Sequence, residues 1–235
     1  PRQATGRRNH RVNHNREDLS LLKNIFKQSR AQVTLGLVLV NVIIWLLQIV
    51  PGSGLTDKLA FVPLSVFVEP WRMITAGFAH DPSNILHVAL NMYSLYIFGS
   101  VLEPLLGRSR FLAVWLISIF GGSVAVMYLN TPNTWVLGAS SGIFGLMASY
   151  FVVLRAIGDR SRGLVGLIAI NLAFGFLMPG VSWQAHLGGL LAGGAMTAVY
   201  TQFRNKKSTQ LVGAILVVLA FVGLTVYRMQ TMLLG

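Results

Sequence analysis

The chain contains no cysteine, which excludes disulfides, thiolate metal sites and a cysteine nucleophile. Charge is also scarce. Asp, Glu, Lys and Arg make up 11% of the 235 residues, where a typical globular chain carries roughly 25%. So few charges cannot cover a water-facing surface, and most of the chain must face lipid or itself. Acid is the scarcer sign, with seven Asp and Glu against nineteen Lys and Arg and a formal net charge of +12. The basic residues lie between apolar runs rather than along one face, so nucleic acid is not an expected partner. No HExxH motif is present to bind zinc, no aspartate pair lies inside an apolar run, and no cofactor is expected. What the chain does have is 54% hydrophobic residues and a mean hydropathy of +0.62. It reads as a membrane protein.

Stretches free of Asp, Glu, Lys and Arg run over 31–56, 82–102, 111–154, 163–203 and 208–227. About 20 apolar residues cross a hydrocarbon core about 30 Å thick. The third and fourth stretches therefore hold two spans each, broken at Asn130-Thr131-Pro132-Asn133 and at Met178-Pro179-Gly180. The expected fold is an all-α polytopic bundle of seven transmembrane helices, at about 33–50, 85–103, 111–129, 139–154, 163–178, 184–203 and 210–228.

With the N-terminus in the cytoplasm, sixteen of the nineteen Lys and Arg lie inside and only Lys58, Arg72 and Arg228 outside, as the positive-inside rule requires. Residues 51–84 are apolar enough to imitate an eighth span. Pro63, Glu69, Pro70 and Arg72 interrupt them, however, and a further span would level the basic count. They are expected to form a long outer loop half-sunk in the interface, with Trp71 at headgroup depth. Leu19, Leu22 and Phe26 recur at helical spacing among Lys23, Lys27 and Arg30, which suits an amphipathic helix on the inner leaflet. The expected organisation is thus a basic cytoplasmic tail over 1–32 and a six-helix core over 33–203, with 51–84 embedded in the outer leaflet. A cytoplasmic loop and an additional helix over 204–235 follow, with Gly235 outside.

Polar groups inside a membrane are costly and point to function. Ser140 lies fifteen residues before Arg155, His186 eighteen before Arg204, and His87 sixteen before Glu103. At 1.5 Å per residue these offsets are about 22, 27 and 24 Å along spans that all run from outside to inside. The three groups therefore share one level, several Å below the outer edge of the core. Asn91 follows His87 by one turn, on the same helical face. Gly189 and Gly193 form a GxxxG on the span of His186, while Ser141, Gly145 and Ser149 form a small-residue row on that of Ser140, beside Gly138 and Gly142. Such rows let helix backbones approach, and packing is their ordinary use. A lone membrane serine ordinarily bonds back to its own helix. The argument rests on a nucleophile, a base and two donors arriving at one depth from three helices.

A serine hydroxyl needs a base within hydrogen-bond reach. His186 is the candidate, since an imidazole with a pKa of about 6.5 is mostly neutral at pH 7. All seven acidic residues fall in loops or at interfaces by this topology, so the expected unit is a Ser–His dyad without a carboxylate. The oxyanion of an acyl-transfer transition state also needs donors. The available set is the Ser140 backbone N–H, His87 and Asn91. Ser140 opens its helix, where free N–H groups and the positive dipole end favour negative charge.

Gly138-Ala139-Ser140-Ser141-Gly142-Ile143-Phe144-Gly145 on one span and Ala185-His186-Leu187-Gly188-Gly189 on a later one resemble the rhomboid intramembrane serine proteases. Trp71-Arg72, His87 with Asn91, and Glu103 with Gly107 extend the resemblance over roughly residues 60–203, and the seventh span resembles the bacterial six-plus-one form. The resemblance implies Ser140 as nucleophile, His186 as base, and His87 and Asn91 as oxyanion ligands. It also implies Phe144 as the ring that packs on the imidazole, with Gly138 and Gly189 in support. Implied substrates are single-span membrane proteins in the lipid bilayer, cut near the outer end of the helix at small residues, and the implied location is a bacterial plasma membrane. Two departures stand out. Ser141 occupies a position that is usually Gly in the family and is a rival nucleophile, although the Phe144-Gly145 ending aligns Ser140. His80 lies nearer to His87 than the loop histidine of the family, and no role is assigned to it. The alternative function is a catalytically inactive relative that binds or escorts transmembrane clients, expected to lack the Ser or the His that this chain retains.

Overall fold

The computed structural model describes residues 31–159, 162–178 and 180–234. The amphipathic helix expected around Leu19, Leu22 and Phe26, and the C-terminal Gly235, lie outside the described residues. Among these, seven helices of sixteen residues or more follow one another. They are α1 (Gln32–Gln48), α2 (Ile85–Leu106), α3 (Arg108–Leu129), α4 (Ser140–Ala156), α5 (Arg162–Leu177), α6 (Trp183–Gln202) and α7 (Lys207–Leu234). All seven coincide with the apolar runs of the sequence. By length and composition α2, α3 and α7 are sufficient to cross a membrane, while α1, α4 and α5 are shorter apolar helices.

Local chemistry sets the boundaries nearest the site. The Asn84 side chain accepts a hydrogen bond from the His87 N–H and so caps α2, and Ser182 accepts from Ala185 N–H to cap α6. Each cap satisfies one of the donors a helix start leaves free. Gly107, at φ 82°, turns the chain sharply between α2 and α3, a backbone region that suits glycine.

The centre of the molecule is the trio α3, α4 and α6, held at backbone contact by glycine. A Cβ at Gly189 would run into the Ser141 carbonyl, one at Gly188 into the Gly121 carbonyl, and one at Gly193 into the Gly145 backbone. Trp115 of α3, fully buried, lies where a Cβ on Gly142 would stand. Hydroxyls stitch the same trio: Thr197 donates to Ser149 at 2.7 Å, and Ser149 in turn to the Gly145 carbonyl at 2.7 Å. The GxxxG and small-residue rows are therefore the contact surface.

The other helices surround this trio. In α5 only Gly175 is buried, and in α7 only Gln210 and Thr225. At its C-terminal end α7 is clasped to α3, with Arg228 Nε donating to the Met127 carbonyl at 2.8 Å and the Tyr128 hydroxyl donating to the Leu224 carbonyl at 2.7 Å. At the opposite end α1 is pinned to α2 by Glu103. This carboxylate accepts from the N–H groups of Val33 (3.0 Å) and Thr34 (2.7 Å) and from the Thr34 hydroxyl (2.8 Å). A negative charge there also meets the positive end of the α1 dipole. Glu103, at the end of its span, is thus satisfied by protein rather than by water. Glu103 is 3% exposed and lies within α2, which continues to Leu106.

Residues 49–84 form no long helix. They fold into short helical turns at Leu55–Leu59, Pro63–Phe67, Arg72–Thr75 and Ala76–Phe78. Arg72 braces this loop, pairing with Glu69 and donating to the Asp57 and Ala60 carbonyls. Trp71 beside it is exposed. Phe61 pairs both its N–H and its carbonyl with Val136, and Gly138 N–H donates to the Ala76 carbonyl at 2.9 Å. The loop is thereby sewn to the segment that leads into Ser140.

Candidate active site

Ser140 is the first residue of α4, so its N–H has no intrahelical carbonyl to meet. Its Oγ lies 2.9 Å from His186 Nε2, contributed by the first turns of α6. The two residues are forty-six apart in sequence. The close approach that brings them together is the Gly189 contact with Ser141, one turn below the histidine. Phe144, one turn below Ser140, stacks on the His186 ring with centroids 4.2 Å apart and planes 13° from parallel. That ring face fixes the plane in which Nε2 points.

Ser141 is directed elsewhere. It is buried, and its Cβ and Oγ fill the space in front of Gly122 on α3. Its side chain packs toward the neighbouring helix. Of the two serines, Ser140 bonds the imidazole.

His87 Nε2 stands close enough to Gly138 that a Cβ there would meet it at 2.9 Å, with Ser140 Oγ 3.8 Å from the same point. Gly138 combines this crowding with φ 125°, so two independent reasons exclude a side chain. Asp81 N–H donates to His87 Nδ1 at 3.4 Å. With Nδ1 accepting, the neutral ring carries its proton on Nε2, the atom that faces Gly138. Asn91 is buried one turn further along α2, where its Nδ2 donates to the His87 carbonyl at 2.7 Å. One amide N–H is engaged on its own helix and the second remains.

Sequence reasoning left His80 without a role, yet the fold brings it into contact with this group. It is fully buried, and its ring meets His87 edge-on with centroids 5.2 Å apart. Burial, and then the neighbouring His87, lower its pKa from 6.5 to about 3, so it is neutral at physiological pH. Its position depends on how an aperiodic loop folds, and no spacing rule reports that. On the far side of His186, Nδ1 is buried without a hydrogen-bond partner among the described residues, beside Gly175 of α5. Among the described residues no carboxylate stands behind the imidazole. No group of three or more His, Cys, Asp and Glu able to hold a metal occurs among the described residues.

A serine hydroxyl at a helix start, bonded to a histidine on a second apolar helix, is a pairing in which a base stands within reach of a weak nucleophile. A model of the rhomboid domain matches residues 68–203, more than half of the chain. The chain belongs to the rhomboid family, membrane-integral proteins that are in general intramembrane serine proteases. Similar relatives include RHOMBOID-like protein 6, mitochondrial, of Arabidopsis thaliana, 36% identical over 152 residues, which is 61% of this chain and 48% of that protein. Rhomboid protease GluP of Bacillus subtilis (strain 168) is 28% identical over 223 residues, 88% of this chain and 42% of its own length. Rhomboid protease AarA of Providencia stuartii is 26% identical over 218 residues, 77% of this chain and 76% of its own. The chain spans about half or less of the length of the first two.

Proposed function

We propose that the protein is an intramembrane serine endopeptidase that hydrolyses peptide bonds in or near the transmembrane helix of single-span membrane proteins, with Ser140 and His186 as its dyad. The observation that carries this reading is the 2.9 Å contact between Ser140 Oγ and His186 Nε2 across two helices. Ser140 Oγ attacks the scissile carbonyl carbon as its proton passes to His186 Nε2. The oxyanion that forms is met by the Ser140 N–H, the His87 Nε2–H and the free amide N–H of Asn91. Collapse breaks the C–N bond, and His186 returns the proton to the leaving amine. Water then repeats the sequence on the acyl-enzyme and releases the second product. Phe144 holds the imidazole plane, while Gly138 leaves room for His87 and Gly189 lets α6 close on the Ser141 backbone.

The proposed setting is a seven-span topology with the N-terminus in the cytoplasm and the C-terminus outside. Residues 33–203 are the catalytic core, 51–84 an embedded outer loop, and 204–235 a loop plus an additional helix. A bacterial plasma membrane is the proposed location. The test is to incubate the purified full chain in detergent with a transmembrane model substrate. Ser140→Ala abolishes cleavage and Ser141→Ala does not. Cleavage by Ser140→Ala at the wild-type rate overturns the reading, and absence of cleavage by the folded wild type leaves the client-binding relative in its place.

A further inference from the structure

We infer that the last turn of α1, through Trp45 and Gln48, is a positioning device for the His87 imidazole; the catalytic part of this inference rests on the serine-protease reading above. Gln48 is 5% exposed, and its amide brackets a single loop residue. Its Oε1 accepts from the His80 N–H at 2.9 Å while its Nε2 donates to the His80 carbonyl at 2.9 Å. The same Nε2 also reaches Thr56 Oγ1 at 2.9 Å. One turn earlier Trp45 Nε1 donates to the Asp81 carbonyl at 3.2 Å. Three side-chain bonds from one helical turn therefore fix the backbone of residues 80 and 81, which belong to no helix.

Both residues of that clamped pair end on His87. The His80 ring packs edge-on against the His87 ring, and Asp81 N–H donates to His87 Nδ1. The fully buried His80 ring meets His87 through its edge and acts through its shape, as a wedge. The Asp81 bond acts on the tautomer, because an Nδ1 that accepts leaves the proton on Nε2, facing Gly138 and Ser140. An apolar side chain at position 48 would pack α1 on the loop equally well. A buried amide engaged on both sides of one residue sets where the next N–H points. The sequence path from α1 to the oxyanion site is long, whereas the path through bonds is Gln48, His80 backbone, Asp81 N–H, His87.

The experiment uses the full chain in detergent, with Gln48→Leu made in the wild-type and His87→Ala backgrounds. Turnover is normalised to the fraction of protein labelled at Ser140 by a fluorophosphonate. In the wild-type background kcat falls about ten-fold with KM within about two-fold, the pattern of a lost transition-state interaction. In the His87→Ala background Gln48→Leu has no further effect, because the group it positions is gone. Reductions that multiply in the double variant overturn the inference. If Gln48→Leu does not fold, Trp45→Phe, which removes a single N–H, is put through the same cycle with about a three-fold expected loss. Nitrogen-15 NMR of labelled histidine supplies a readout independent of proteolysis. His87 carries its proton on Nε2 in the wild type, and Gln48→Leu or Trp45→Phe raises the Nδ1–H fraction. An unchanged His87 signal in the folded variant overturns the clamp even if the protein is a protease. Wild-type cleavage by Ser140→Ala overturns the protease reading, and the tautomer signal still decides the clamp.

Discussion

The trio α3, α4 and α6 and the pair α5 and α7 are built from similar apolar residues and packed in opposite ways. In the trio, glycines bring backbones into contact, and Gly121, Gly122, Gly142, Gly145, Gly188, Gly189 and Gly193 all lack room for a side chain. On α5 and α7, Gly163, Gly166 and Gly223 have nothing within 4 Å of where a Cβ would stand, and the nearest atoms at Gly175 and Gly213 belong to the side chains of Trp183 and Val199 rather than to a facing backbone. The difference teaches where precision is needed. Ser140 and His186, carried by different helices, keep hydrogen-bond distance only if those helices cannot slide, and backbone contact is the stiffest joint available. Helices that carry no part of the dyad can be held by a few bonds at their ends.

The comparison is broken most severely at the dyad. His186→Ala lowers turnover by at least about 10⁴-fold with the fold intact, since no other group stands ready to take the serine proton. Circular dichroism and cleavage assays on one preparation check both halves. Next comes the joint itself. Gly189→Ala forces α6 away from the Ser141 carbonyl and costs about 1–3 kcal/mol of stability. A shift of this kind in a reacting pair costs about 10²-fold in rate. Gly166→Ala, with the same chemistry on α5, leaves rate and melting temperature near wild type, and equal damage from the two substitutions would erase the distinction.

Asn91→Ala sharpens the comparison, because α2 stands outside the trio but borders the site. As an oxyanion donor Asn91 contributes up to about 10² in kcat, with the Ser140 N–H and His87 remaining. As a bond back to its own helix alone it contributes about 0.5–1.5 kcal/mol to stability and nothing to turnover. Melting temperature and site-titrated kcat on the same sample separate the two. The smallest effect is expected from Arg228→Ala, which removes the charged bond to the Met127 carbonyl. It costs about 1–2 kcal/mol of stability and leaves kcat unchanged.

The helices were the most legible part of the sequence. Apolar runs interrupted by Asn130 to Asn133 and by charged loops placed the boundaries within about three residues of those observed, except that α7 runs past Arg228, where the uncharged run stops, to Leu234. The Ser140–His186 pairing was legible from depth arithmetic together with the family motif, since equal depth on neighbouring helices is a necessary condition for contact. Direction around the helix was not legible in the same way. That Ser141 turns to Gly122, and that Asn91 bonds its own helix, depend on which neighbour lies at each azimuth. Glu103 was placed at an interface because charge at a span end ordinarily meets water; here it meets the free N–H groups of α1. His80 escaped because the outer loop is made of single helical turns with no periodic signal, and its nearness to His87 exists only once Gln48 and Trp45 have gripped the backbone.

The double pairing of Phe61 with Val136 and the bond from Gly138 N–H to the Ala76 carbonyl have a consequence for biosynthesis. A chain made from its N-terminus exposes the outer loop long before residues 136–138 leave the ribosome. Once α3 is made, the loop packs on it through Phe61, Val66 and Met73 and forms a jig from which the segment ahead of the serine takes its register. Residue 140 becomes the first of a helix where the jig ends. The serine's address is thus written partly in a loop synthesised some sixty residues earlier.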